Sequence, residues 1–305
     1  MLEGNDTVAV VGGGTMGVGI AYVFAAAGWA TTVVEPNNER AAIVRATLES
    51  VAAQGAARGK LAADQAQAIP ASVRRVSEIS ELPVGLSVVI ESVPERFELK
   101  QQVLRDIEAR QPDLIATNTS ALSVDALAAS LADPTRFVGM HFFNPVWSLP
   151  MVELIRGAAT SDAAIMRAAQ IAQAIGKQTI TVTDTPGFAT SRLDLIASLE
   201  AMRMLEDGVA SAEDIDRAML IAYRHPIGPL RLSDIVGLDV RLDIARNLAT
   251  ALGPRYAPPR ILERLVAEGH LGQKTGRGFF EWTTETDTPS TPSSSTPSTT
   301  SRGTS

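Results

Sequence analysis

The apolar run Val8-Ala-Val-Val11 opens directly into Gly12-Gly-Gly14-Thr15-Met16-Gly17 and then into a helix-forming, alanine-rich stretch from Gly19 to Ala27. No other feature of the chain constrains the fold as tightly. A strand that turns at once into a helix needs backbone unencumbered by side chains. Gly12 permits the turn, Gly14 lets a ligand approach the main chain, and Gly17 lets helix and strand pack closely. The N-terminus of such a helix, here entered through Thr15 and Met16, seats the charge of a pyrophosphate. A second apolar run, Ala30-Thr-Thr-Val-Val34, ends in Glu35, at the spacing where dinucleotide folds place the acid that holds a ribose. A bare glycine pattern says little, but strand, turn, helix, strand and acid in this order predict a dinucleotide site. Glu35 favours NAD over NADP, because a carboxylate accepts ribose hydroxyls and repels a 2′-phosphate, and no Arg follows it directly.

Beyond Glu35 the pattern keeps alternating. Residues 36–58 carry Ile43, Val44, Leu48 and Val51 near helical spacing. Past Gly59-Lys60 the signal weakens, then Ser87-Val-Val-Ile90 reads as a buried parallel strand and residues 95–110 as a helix. Leu114-Ile-Ala-Thr-Asn118 is a further strand ending in Thr119-Ser120, where α/β sheets present ligand groups. By position alone Ser120 is a polar finger into a site or the start of a turn. A helix over 161–175 and a strand at Thr179-Ile-Thr-Val182 complete the series. The chain is thus expected to form an α/β, Rossmann-type, doubly wound and mostly parallel sheet over residues 1–184.

At Thr185-Pro-Gly187 the punctuation changes and no strand pattern follows. Helices are predicted over 188–206, 211–220, 230–252 and 259–268, separated by Gly208, Pro226-Ile-Gly-Pro229 and Gly253-Pro254. Residues 185–282 therefore form an all-helical second domain, apolar enough to predict a homodimer interface. Residues 283–305 are almost wholly Ser, Thr and Pro, a composition expected to stay disordered.

A chain of 305 residues, 45% apolar and 20% charged, has material for two such domains. It contains no Cys, which excludes a disulfide framework, a thiolate metal site and a cysteine nucleophile. Three scattered His residues make a metal site improbable, and a formal charge of -7 argues against a nucleic-acid surface. The start of the chain has no basic segment followed by an apolar core, and no later segment offers about 20 uninterrupted apolar residues. A cytoplasmic protein with no membrane partner is expected.

The most chemical stretch runs from Phe137 to Ile155. His141 ends one apolar run, a loop follows, and Glu153 sits inside the next. The spacing is too long for one helix face, but two neighbouring strands joined by the loop could bring imidazole and carboxylate together, a geometry that suits a paired base. The same residues read equally as a core histidine and a strand-edge charge, since such groups mark functional sites only probabilistically.

With these pieces in order, the chain resembles the short-chain L-3-hydroxyacyl-CoA dehydrogenase family, which includes the bacterial 3-hydroxybutyryl-CoA dehydrogenases. The resemblance runs from Val8 to Trp282. It is carried by the glycine loop, Glu95 with Lys100, Asn118-Thr-Ser120, His141-Phe-Phe-Asn-Pro145, Val152-Glu153, Asp184-Thr-Pro-Gly-Phe188, Pro226-Ile-Gly-Pro229 and Lys274-Thr-Gly-Arg-Gly278. It implies a Rossmann domain, a helical dimerisation domain, and hydride transfer between NAD and C3 of an acyl-CoA. In that reading His141 is the base, Glu153 orients it, and Ser120 hydrogen-bonds the reacting oxygen. Glu95, Lys100 and Asn118 line the cofactor's nicotinamide and ribose end, and Arg58 and Lys60 are the nearest candidates for the CoA adenine end.

Two departures bear on the substrate. Phe188-Ala-Thr-Ser191-Arg192 carries Ser191 where the family usually has Asn, and Trp147 stands where smaller residues are common. The family chemistry also serves free hydroxy acids, as in gulonate and carnitine dehydrogenases. An acyl group on a carrier protein is a further alternative. In lambda-crystallins the NAD fold persists as a structural protein.

Overall fold

The computed structural model describes residues 6–282, so the Ser/Thr/Pro tail lies outside the described residues. Contacts divide the chain between Leu193 and Asp194 into two compact units.

The first unit runs β1 (Thr7–Val11), α1 (Thr15–Ala26), β2 (Ala30–Val34), α2 (Asn38–Ala57), α3 (Ala63–Ser72), β3 (Arg74–Val76), β4 (Val88–Glu91), α4 (Phe97–Glu108), β5 (Ile115–Thr117), α5 (Val124–Ala128), β6 (Phe137–Phe142), β7 (Met151–Arg156), α6 (Asp162–Ala174) and β8 (Gln178–Thr183). It closes on the start of α7 (Thr190–Glu206). The strands form one sheet in the order β3-β2-β1-β4-β5-β6-β7-β8. Side chains alternate across each strand. Val8 and Val10 therefore enter one apolar core, while Ala9 and Val11 enter the other. Both faces are covered, as a parallel sheet requires.

The order reverses at β1, which pairs in parallel with β2 on one side and β4 on the other. A crevice opens there beyond the carboxyl ends of the strands. β6 and β7 are the antiparallel exception, with His141 directly opposite Glu153. Opposed residues of an antiparallel pair project from the same face. The loop thus supplies the reversal that brings base and acid together.

Two elements escaped the sequence pattern. α3 buries only Ala66 and Ile69 and has no continuous apolar stripe. β3 is an edge strand of three residues, two of them Arg. The helix expected from residue 95 begins at Phe97, leaving Glu95 in the preceding loop.

The second unit consists of the remainder of α7 with α8 (Ala212–Ala222), α9 (Pro229–Val236), α10 (Leu238–Leu252) and α11 (Arg260–Ala267). Its core gathers Leu195, Leu199, Met202, Leu230, Leu238 and Leu262. The single helix expected over 230–252 is two helices. Gly237 separates them at φ +102, a left-handed conformation that ends α9 and caps α10.

Candidate active site

A cavity of about 1130 Å³ lies in the first unit, along the crevice at the strand-order reversal. The residues from Gly12 to Met16, Glu35, Ser92, Glu95, Asn118, Ser120 and His141 all line it. Gly12 has φ +112, and a Cβ there would stand 2.6 Å from the Ser92 carbonyl oxygen. Gly17 does not line the cavity but makes the turn possible, since its Cβ would come within 1.8 Å of Gly12 O.

The cradle fits a dinucleotide. A Cβ built on Gly14 meets nothing within 4 Å. No side chain caps α1, and its first turn holds no acid. The first backbone N–H groups of α1 thus face open space, ready for an anion. The Glu35 carboxylate is buried beside them, accepting Gly13 N–H at 3.1 Å and Asn37 N–H at 3.0 Å. The absence of a neighbouring Arg holds in sequence but not in space. Arg40 lines the same cavity, and Arg75 donates through Nε to Glu35 O at 2.9 Å.

Glu95 organises the Ser120 loop. Its Oε1 accepts the N–H groups of Ser120 and Ala121, each at 3.0 Å, together with the Thr119 hydroxyl. Burial pushes Glu95 up, but Lys100, Thr119 and the two N–H groups hold it below the usual carboxylate range. Lys100 is the correction here. Expected at the cofactor's nicotinamide end, it is only 1% exposed and does not line the cavity. Its ammonium donates to both Glu91 oxygens at 2.8 and 3.0 Å and pairs with Glu95 at 3.2 Å. Glu91, wholly buried, also accepts the Thr117 hydroxyl at 2.6 Å. Sequence reasoning missed Glu91, and the one available signal was an acid ending an otherwise apolar strand.

Asn118 ties two strand ends together, its Oδ1 accepting Phe142 N–H at 2.9 Å. One residue earlier stands His141, 8% exposed, with Nδ1 3.1 Å from Glu153 Oε2. A carboxylate only accepts, so Nδ1 carries the proton and Nε2 is left as the basic nitrogen. The rings of Phe143 and Phe188 flank the imidazole at 4.5 and 6.0 Å between centroids. Glu153 is wholly buried and fully satisfied. Oε1 accepts Ala189 N–H at 2.9 Å and Thr190 N–H at 3.1 Å, while Oε2 accepts the Thr190 hydroxyl at 2.8 Å. Burial raises its pKa, yet the hydrogen bonds from His141, Ala189 and Thr190 leave it below the ordinary carboxylate value. Thr190 was not singled out from sequence. Ser191 follows it on the first turn of α7, half-buried and not among the cavity-lining residues. Trp147 likewise lies off the cavity, packed edge-on against Tyr22.

The family model for the 3-hydroxyacyl-CoA dehydrogenase NAD-binding domain matches residues 7–185, and that for the 3-hydroxyacyl-CoA dehydrogenase C-terminal domain matches residues 187–282. The chain belongs to the 3-hydroxyacyl-CoA dehydrogenase family. It is an NAD-dependent enzyme, as its cradle and the family's NAD-binding domain require. A 3-hydroxybutyryl-CoA dehydrogenase of Mycobacterium tuberculosis is 37% identical over 287 residues, covering 92% of this chain and all of the relative. A 3-hydroxyadipyl-CoA dehydrogenase of Escherichia coli is 34% identical over 93% of this chain, which spans 61% of that longer relative. The crystal structure of (S)-3-hydroxybutyryl-CoA dehydrogenase from Ralstonia eutropha superposes with a TM-score of 0.87 at 36% identity, covering 92% of this chain and 99% of that one. This member of the 3-hydroxyacyl-CoA dehydrogenase family therefore shares its architecture with enzymes of thioester redox chemistry.

Proposed function

We propose that the chain interconverts a short-chain L-3-hydroxyacyl-CoA and the matching 3-ketoacyl-CoA, with His141 as general acid and base. The observation that carries this reading is the His141 Nδ1 to Glu153 Oε2 contact of 3.1 Å at the wall of a cavity that begins at the glycine loop. NAD, when bound, accepts the hydride from C3 in oxidation and, reduced, supplies it in the reverse direction. Gly12, Gly14, Thr15, Met16 and Glu35 would hold it, with Gly17 shaping the turn and Glu95 and Asn118 lining the cavity further along. In oxidation His141 Nε2 takes the 3-hydroxyl proton, and in ketone reduction it returns one. Glu153 keeps the proton on Nδ1 and stabilises the imidazolium. Ser120, anchored through Glu95, hydrogen-bonds the reacting oxygen.

The relatives named for 3-hydroxybutyryl-CoA favour a short acyl chain, and the 3-hydroxyadipyl-CoA relative marks a longer diacid as the second substrate to try. Ser191 enters as the substrate-side candidate, a shorter hydroxyl in place of an amide, with a bridging water making up the reach at about 0 to 2 kcal/mol. Oxidation of NADH followed at 340 nm (the NADH absorbance) with a chain-length series of 3-ketoacyl-CoA thioesters tests the assignment. Acetoacetyl-CoA is expected to lead. No turnover with any thioester, but turnover with free hydroxy acids, would overturn it. Ser191→Asn is expected to hold or raise efficiency with acetoacetyl-CoA. A drop beyond about tenfold means the site is built around the hydroxyl.

We further propose a cytoplasmic homodimer joined through the helical unit. Supporting it, that unit leaves Val209, Ile221 and Tyr223 63 to 71% exposed, with Val240 and Ile235 also open. Light scattering measures the assembly, and a monomer at micromolar concentration would refute it. No helix among the described residues is long and apolar enough to cross a membrane.

A further inference from the structure

We propose that Thr190 is a positioning residue that sets the working pH of the His141 base through Glu153, an inference that rests on the acid–base reading above. The Oε2 atom that faces His141 Nδ1 also accepts the Thr190 hydroxyl at 2.8 Å. The other oxygen is taken by two backbone N–H groups, from Ala189 and Thr190. Those N–H donors come with the fold, and any residue but proline at the two positions would leave them in place. The hydroxyl is encoded by the side chain at 190 and lies on the one oxygen that the imidazole reads.

The local backbone is bent to deliver this contact. Gly187 and Phe188 take successive positive φ values of 73 and 47, the latter a left-handed conformation that costs a non-glycine residue free energy. The buried Phe188 ring, beside His141, holds it there. The turn then aims Ala189, Thr190 N–H and the Thr190 hydroxyl at a single carboxylate.

A donor on Oε2 withdraws charge from the atom that stabilises the imidazolium. With the hydroxyl in place, proton release from His141 is easier. Without it, the carboxylate turns its full charge on the ring, and the imidazolium persists to higher pH. Other ionisable groups also stand on the surrounding elements. Arg156 on β7 pairs with Asp162, and Asp184 after β8 accepts the Ser123 hydroxyl and the Asp125 N–H. β8 sets neutral Ile180 opposite Glu153, Glu95 on the cavity wall is bound to Lys100 and the Ser120 loop, and Arg192 is the next charge along α7.

The experiment records pH–rate profiles in both directions, with acetoacetyl-CoA plus NADH and 3-hydroxybutyryl-CoA plus NAD, for the unmodified enzyme, Thr190→Val, Thr190→Ala, Thr190→Ser and Glu153→Gln. Thr190→Val and Thr190→Ala are expected to move the acid limb of oxidation and the alkaline limb of reduction to higher pH by about half to one unit. Thr190→Ser, which keeps the donor, is expected to restore the limbs. Glu153→Gln is expected to move them the opposite way. If both hydroxyl-free variants lose rate with unmoved limbs while Glu153→Gln shifts them, Thr190 is a packing residue and the proposal falls alone. If no variant moves a limb, the His141–Glu153 reading falls with it.

Discussion

Glu153 in the sheet-bearing unit and Asp234 in the helical unit are both wholly buried carboxylates ringed by donors, yet they end on opposite sides of the ordinary carboxylate value. Burial pushes both up. For Glu153 the hydrogen bonds from His141, Ala189 and Thr190 more than offset it, and the group ends low. For Asp234 the donors Trp282 Nε1, Phe280 N–H and Phe279 N–H, each at 2.9 Å, do not, and the group ends high. Glu153 accepts four hydrogen bonds, among them those of the His141 ring and the rotatable Thr190 hydroxyl, whereas Asp234 accepts three from backbone and indole N–H groups and ends high even with the Arg231 charge also lowering it. Asp234 is a strut holding the segment around Gly278 to α9, so tight that a Cβ on Gly278 would stand 2.1 Å from its Oδ1. In the proposed mechanism Glu153 is instead the partner of the His141 base.

Four measurements sharpen or break that contrast. The largest effect belongs to His141→Ala, expected to cost about 10² to 10⁴ in turnover while NADH affinity, read by fluorescence titration, stays nearly constant. A comparable loss of NADH binding would mean that the ring supports the cradle instead of the chemistry. Next comes Asp234→Ala, which strips three donors, two of them buried, of their acceptor. Urea unfolding followed by tryptophan fluorescence is expected to lose about 3 kcal/mol or more. A loss below about 1 kcal/mol would remove Asp234 as a strut. Third, Glu35→Gln is expected to erode the NADH preference by about one to two decades in kcat/KM ratio, equivalent to ~1 to 3 kcal/mol. Equal efficiency with NADPH in the unmodified enzyme would show instead that Arg40 and Arg75 govern the site.

The smallest effect is on stability against pH, where Glu95 and Glu153 of the sheet-bearing unit contribute with opposite sign to Asp216 and Asp234 of the helical unit. Glu95 and Glu153 are held low when folded, so their stabilisation is present above the unfolded carboxylate value of about 4.3 and is lost as pH falls through the folded values. Asp216 and Asp234 are raised by burial, so their contribution is full below about 3.9 and is lost as pH rises through the folded values. The opposing slopes flatten the acid profile. Asp216→Asn removes one raised group and should steepen the acid loss of urea midpoint between pH 6 and 3.5, by less than about 1 kcal/mol. A flatter profile in that variant would reverse the sign assigned to Asp216.

The sequence by itself determined the parts whose physics is local. The glycine loop is legible because a strand turning into a helix admits no Cβ at Gly12 or Gly17. Glu35 is legible because it directly follows β2, and the meeting of His141 with Glu153 because two apolar strands joined by one loop can pair. Only the tertiary structure decided which groups the polar side chains meet. It spent Lys100 on Glu91 instead of the cavity, brought Arg75 back to Glu35 across 40 residues, and set the Thr190 hydroxyl on Glu153 across 37. Periodicity carries no record of such contacts, since each is formed by where the fold returns a strand or helix end. Gly237 belongs with them. An isolated glycine in a helical pattern does not by itself end the helix, and here the packing of α9 and α10 as separate helices settles it at positive φ.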